Sequence, residues 1–225
     1  MTILVSAYPA LLTPEPTDPV AVRAVYARLH DVPGIGAVEL PLDADGGLPD
    51  ADLVLPLIPA HWDVVLTTVP GTMARMAQDP TFGLASPDDR GGDAAVDHLQ
   101  RCLSTAARID AGLGRRAVTA IGVVSAPTRP GTTSPHESTD GSADRAATDG
   151  ARAARFAERL AGVLDAGART GIHTRTGAGG VRVLVEHCDA RVPGQPPAKG
   201  SSTSPPRSTS SSRCAPRGTR RRGSS

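Results

Sequence analysis

The apolar run Val181-Arg182-Val183-Leu184-Val185 ends in Glu186, His187, Cys188 and Asp189, which sets carboxylate, imidazole and thiol donors side by side at the end of a strand-like stretch. Glu39 lies within a second such stretch, Ala37-Val-Glu-Leu-Pro-Leu-Asp43, and is expected to follow its strand. The hydroxyls of Thr67, Thr68 and Ser125 close two more. Carboxylates and imidazoles that converge where strands end can hold a divalent metal, which polarises a sugar carbonyl or hydroxyl and eases a proton or hydride shift. A Glu at a strand end serves as readily as a salt-bridge or loop-capping residue, and spacing alone leaves both roles open for Glu186 and Glu39.

The elements that must position these residues follow from periodicity. Short β-branched runs predict strands over 2–10, 37–43, 63–72, 116–127 and 181–190. Asp18 as N-cap and Pro19 at the first helical position open a helix that carries Val22, Val25, Tyr26 and Leu29 on one face and is closed by Pro33 and Gly34. Residues 49–62 read as a short helical segment interrupted by prolines, and 73–92 as a long loop. A helix follows from about Asp93 to Leu113, with Val96, Leu99, Leu103 and Ala106 aligned, and another at about 149–166. The Ser/Thr/Gly/Asp-rich stretch 128–150 reads as a flexible loop.

Strand and helix alternate, so the class is α/β with a parallel sheet, either doubly wound or the first part of a (β/α)8 barrel. No Gly-rich fingerprint follows the first strand, which argues against a dinucleotide-binding fold, and Gly177-Ala-Gly-Gly180 precedes a strand instead of opening a helix. In a barrel, reactive groups gather at the C-terminal ends of the strands, where Glu39, Thr67, Thr68, Ser125, Glu186, His187 and Asp189 are expected to stand.

Composition narrows the rest. The net charge of +1 conceals an asymmetry: residues 200–225 hold six arginines and no acid, which leaves eighteen basic against twenty-three acidic residues in the body. Aromatic content is 2%, so the core is built from Val, Leu, Ile and Ala. Three widely spaced cysteines, Cys102, Cys188 and Cys214, argue against a disulfide framework or a zinc cluster and for reduced thiols in a cytoplasmic protein. Cys102 reads as packing on a helix, and His30 and His98 as solvated helix residues. The N-terminus lacks basic residues before its apolar run, and no apolar stretch approaches the ~18 residues that would span a bilayer, so a membrane role is disfavoured.

The stretches VVLTTVPGTMARMAQDPTFGLASPDD (64–89), LGRRAV (113–118), SAPTR (125–129) and VLVEHCDARVPGQPPAKG (183–200) resemble the bacterial domain-of-unknown-function family four-eight-six-two. That family is similar to the xylose-isomerase-like TIM barrels, the sugar isomerase and epimerase group. The resemblance implies that Glu186 matches the metal-binding carboxylate ending the fifth strand of that group. It makes His187 a ligand neighbour or proton donor, and Glu39 a substrate-orienting group. The group's remaining ligands come from the sixth to eighth strands, for which this sequence has no counterpart. It departs from the family at 128–180, which is longer and less apolar than expected, and beyond Gly200.

That departure has a reading of its own. Back-translated with GC-rich codons and regrouped one nucleotide earlier, the Ser/Arg/Pro-rich tail can spell an amphipathic helix followed by a strand. The expectation is therefore an incomplete TIM-barrel domain of about five β/α units over 1–199, with a disordered tail at 200–225 shifted out of frame. Such a chain would be an inactive relative of sugar isomerases; a divalent metal and a sugar-like substrate would belong to an intact homologue. Open sheet edges would favour oligomers or aggregates. Two other readings stand beside this one: a non-catalytic barrel that binds a small molecule, and a protein whose basic tail binds nucleic acid. The last is disfavoured by an acidic body and a tail without aromatics.

Overall fold

A computed structural model describes residues 3–7, 18–126, 142–169 and 180–186. Among them, strands β1 (Ile3–Ser6), β2 (Ile35–Pro41), β3 (Asp63–Thr67), β4 (Val118–Val124) and β5 (Arg182–Glu186) form one sheet. All four pairings are parallel, and the spatial order is β1-β2-β3-β4-β5, the order of the sequence. The helices are α1 (Pro19–His30), α2 (Ala51–Val54) with a 3-10 turn at Leu55–Leu57, α3 (Val69–Gln78), α4 (Asp89–Gly112) and α5 (Ser142–Arg169).

Local chemistry sets the helix boundaries. The Asp18 carboxylate accepts from Val20 N at 2.9 Å and Pro19 opens α1. Asp88 caps α4 in the same way, accepting from Gly91 N at 2.8 Å. At the other end of α4, Asp110 Oδ1 accepts from Ala117 N and Val118 N, both at 2.8 Å, and so ties the helix to the start of β4.

The core lies on one side of the sheet. Val22 and Tyr26 of α1, Val54 of α2, Leu99, Leu103 and Ile109 of α4 and Val163 of α5 join one apolar cluster with Val38 and Leu40, Val64 and Leu66, and Ile121 and Val123 of the central strands. Burying each such side chain contributes roughly 1.5–3 kcal/mol. A doubly wound sheet reverses its strand order so that helices cover both faces. Here the order never reverses, and right-handed crossovers then leave the helices on a single face.

Several expectations need correction. β3 ends at Thr67 instead of 72, and the start of the predicted loop 73–92 is helix α3, because Pro70 stands in the first turn and Met, Ala, Arg and Gln follow. Residues 89–92 likewise belong to α4. The predicted loop 128–150 is helical from Ser142, where Ala143, Ala146 and Ala147 outweigh the roughly 1 kcal/mol that Gly150 costs; its remainder, 128–141, lies outside the described residues, as does the tail 200–225. His98 was expected in solvent and is buried at 3% exposure, whereas His30 is exposed. No helix among the described residues is long and apolar enough to cross a membrane.

Candidate functional site

Strand alternation decides which residues share the face opposite the helices. Since Val38, Leu40, Val64, Leu66, Ile121 and Val123 point into the core, their neighbours line the other face. The register aligns these neighbours in rows across the sheet. One row is Ser6, Glu39, Val65, Ala120 and Arg182; the next is Pro41, Thr67, Gly122 and Leu184; Val124 and Glu186 pair beyond it.

Glu186 is the last residue of β5 and half-buried. Its carboxylate leans over β4, where a Cβ on Gly122 would meet Glu186 Oε2 at 3.9 Å. Thr67 ends β3 on the same face, buried, its Oγ1 accepting from Val69 N at 3.4 Å. Glu39 was expected after its strand and instead lies within β2, two residues before its end. Three strand-to-strand spacings, from β2 to β5, set Glu39 about 14 Å from Glu186 across the sheet, and four residues along the strand direction add about 13 Å. The two carboxylates therefore share a face without being able to share an ion. His187, Cys188 and Asp189 lie outside the described residues. Among the described residues no group of three His, Cys, Asp or Glu side chains is placed to hold a metal. Glu186 fits as one metal ligand and does not complete a site with the other described residues.

The rim at the strand ends is tightly built. After β2, Asp43 Oδ1 accepts from Asp45 N at 2.9 Å and Gly47 N at 2.8 Å, folding the loop on itself. Its next three carbonyls are each taken by a side chain: Ala44 O by Arg75 Nε at 2.9 Å, Asp45 O by Arg101 Nε at 3.1 Å and Gly46 O by Thr105 Oγ1 at 2.7 Å. Gly71 N donates to Leu42 O at 3.0 Å, and a Cβ at Gly71 would overlap the Asp43 carbonyl. The loop after α3 is tied to the end of β4, since Ala85 N donates to Ala126 O at 2.9 Å and to the half-buried Ser125's carbonyl at 3.2 Å. From α5, Arg159 Nη1 donates to Ser86 O at 2.7 Å and Leu84 O at 3.1 Å. Thus the stretch 64–89 and Ser125-Ala126, both within stretches that carry the family resemblance, fold into one connected rim.

Beneath the rim, His98 Nε2 lies 3.6 Å from Cys102 Sγ on α4. Burial pushes the His98 pKa down to about 4, with Arg101 and Arg75 adding to the shift, and pushes the Cys102 thiol up to about 12. Both are therefore neutral near pH 7, and Cys102 is not poised as a thiolate nucleophile. Sequence reading missed Arg75, Asp43 and Arg159. Their signal is weak, because an arginine that bonds carbonyls far away in sequence looks like any surface arginine; only the Gly91-Gly92 pair hints that something approaches α4 closely.

The family model described as Domain of unknown function (DUF4862) matches residues 4–203, most of the chain. No curated protein and no solved structure matches it. With a match that takes in the rim, all five strands and Glu186, the chain belongs to the DUF4862 family.

Proposed function

We propose that the described sheet is the first five β/α units of a (β/α)8 TIM barrel of the sugar isomerase and epimerase type, and that this chain by itself does not catalyse turnover. The observation that carries the reading is the strand order. Five parallel strands in sequence order with the helices on one face are the arrangement from which a barrel is closed, and the face opposite the helices is then its interior. Glu186 stands at the C-terminal end of β5 on that face, where barrel enzymes place their reactive groups. In this reading Glu186 is a metal-ligand position and Glu39, deeper on the same face, orients substrate. A divalent metal bound there would supply Lewis-acid polarisation of a sugar oxygen. The distance between the two carboxylates is the reason for expecting no turnover: the remaining ligands must come from strands beyond β5.

Two measurements test the proposal. Reading the gene past the Lys199 codon in the adjacent frame should reveal a helix and further β/α units with acidic or His residues at strand ends. Assay of the 225-residue protein on aldoses and ketoses with Mg2+, Mn2+ or Co2+ should show no metal-dependent turnover. Turnover would overturn the claim of inactivity; closure of the adjacent frame immediately after Gly200 would remove the source of the missing strands. A weak rise in melting temperature with Mn2+ that Glu186→Gln abolishes would support the ligand assignment without requiring activity.

A further inference from the structure

We infer that the outer edge of β5 is a dimerisation edge: it pairs antiparallel with β5 of a second copy of this chain, in the register that sets Leu184 opposite its own symmetry mate. Among the described residues β5 is paired on one side only, by β4. Both of its faces present apolar surface to solvent. Leu184 is 47% exposed on the face opposite the helices. Val185 is 50% exposed on the helix face, two residues along from Val183, which packs against the core.

The strand is complementary to itself. Arg182-Val-Leu-Val-Glu186 has an apolar residue at its centre, a valine on either side of it and opposite charges at its two ends. A contact between two copies of one patch is isologous, so that residue i meets j wherever j meets i. Turned about a two-fold axis normal to the sheet at Leu184, β5 meets its mate with Leu184 against Leu184, Val183 against Val185 and Arg182 against Glu186. The last two pairs each form twice. A slip by two residues in either direction sets Arg182 or Glu186 against Leu184, and a slip by one sets opposite faces of the sheet against each other.

The carboxylate of Glu186 leans over β4, and a long side chain such as that of Arg182 reaches diagonal as well as directly opposite neighbours. A carboxylate accepts several hydrogen bonds, so contacts within its own chain leave room for a guanidinium. The other edge lacks these features: Ile3-Leu4-Val5-Ser6 of β1 carries no charge that would fix a register. A strand of five residues is a small contact beside the roughly 1,200 Å2 of a standard interface, so the dimer is weak and forms as concentration rises. The exposed charge pairs set the register and contribute little to affinity. The pairing follows from the strand order and the residues of β5, and does not depend on the isomerase reading.

Sedimentation equilibrium of the full-length protein tests this. The unsubstituted chain should show a monomer–dimer equilibrium. Arg182→Glu and Glu186→Arg, which set like charges opposite each other twice, should each raise the dimer dissociation constant about tenfold or more. The double variant Arg182→Glu/Glu186→Arg should restore it, and mixing the two single variants should give a heterodimer. Leu184→Cys, with Cys188 and Cys214 replaced by Ser, should cross-link to its mate on mild oxidation. A protein that stays monomeric at high concentration, one whose association ignores both charge reversals, or a double variant as weak as the singles would overturn the inference. Should a charge variant not fold, the Leu184→Cys cross-link decides: its absence overturns the pairing.

Discussion

The guanidinium of Arg159 occupies the space that a Cβ on Gly92 would fill, so that α5 meets the first turns of α4 through a charged group laid on bare backbone. From there it reaches the Leu84 and Ser86 carbonyls. Its 3.3 Å contact with the exposed Asp89 carboxylate adds little, since solvent screens it.

Gly92→Ala should therefore reverse the usual helix rule. Alanine in a helix interior ordinarily gains about 1 kcal/mol over glycine; here it displaces the guanidinium and should cost roughly 1–3 kcal/mol, the worth of charged hydrogen bonds. In an Arg159→Ala background the same change should become neutral or stabilising. Urea denaturation of the four proteins of this cycle measures the coupling, and simple additivity would refute it.

Gly71→Ala should cost more, on the order of 3 kcal/mol or above, because the obstacle is the Asp43 carbonyl of the backbone and not a side chain that can swing away. Loss of protection from hydrogen exchange should spread to Gly46 and Gly47, whose amides bond within the Asp43 loop.

Tyr26 is buried with a hydroxyl that no described group partners, and burial pushes its pKa up to about 12. Tyr26→Phe removes that hydroxyl at little change in shape. The variant should be neutral or stabilised by about 1 kcal/mol in thermal or urea unfolding. A loss of 2 kcal/mol or more would show that the hydroxyl has a partner.

Stability should fall with acid between about pH 6.5 and 4. In that interval the unfolded chain protonates His98 at its ordinary value of 6.5 while the folded chain, with a value of about 4, does not. The unfolded state then binds more protons, so the contribution present above pH 6.5 is lost, by roughly 3 kcal/mol at most, and levels off below pH 4. At the alkaline end Cys102 acts with the opposite sense: raised from 9.0 to about 12, it favours the fold below pH 9, and this is lost as pH climbs toward 12. Urea midpoints against pH for the unsubstituted protein and His98→Leu check the acid limb, which should flatten in the variant.

Among the described residues β1 and β5 are the edge strands, and both carry exposed aliphatic side chains, Leu4 at 49% and Leu184 at 47%. Open edges of this kind recruit further strands. The full-length protein should associate with rising concentration in light scattering, and Leu184→Lys should weaken the association; a protein that stays monomeric at high concentration would contradict this.

Apolar periodicity made all five strands and helices α1 and α4 legible, because burial on one face leaves a period in the sequence. It failed at α3, where Thr-Thr-Val-Pro reads as the end of a strand and only the following Met-Ala-Arg-Met announces a helix. It also failed at the polar start of α5, where alanine spacing carries the helix without an apolar stripe. Among site residues, Glu186 was readable because it ends an apolar run. Glu39 was placed too near the rim, because Pro41 does not stop β2 before its own position and Leu42 still donates to Thr67 O. The burial of His98 was hidden, since a histidine among Asp97, Gln100 and Arg101 resembles a solvated position until the Asp43 loop is folded over it.

The unbroken strand order has a bearing on how the chain assembles. Among the described residues each strand pairs only with its neighbours in sequence, so these five strands can be added from β1 onward as the polypeptide emerges, with none inserted between two earlier ones. Cooperative stability then passes from neighbour to neighbour, much as in repeat proteins. A lesion in β2 or β3 should disturb every later unit's support, whereas one in β5 leaves four strands already in place.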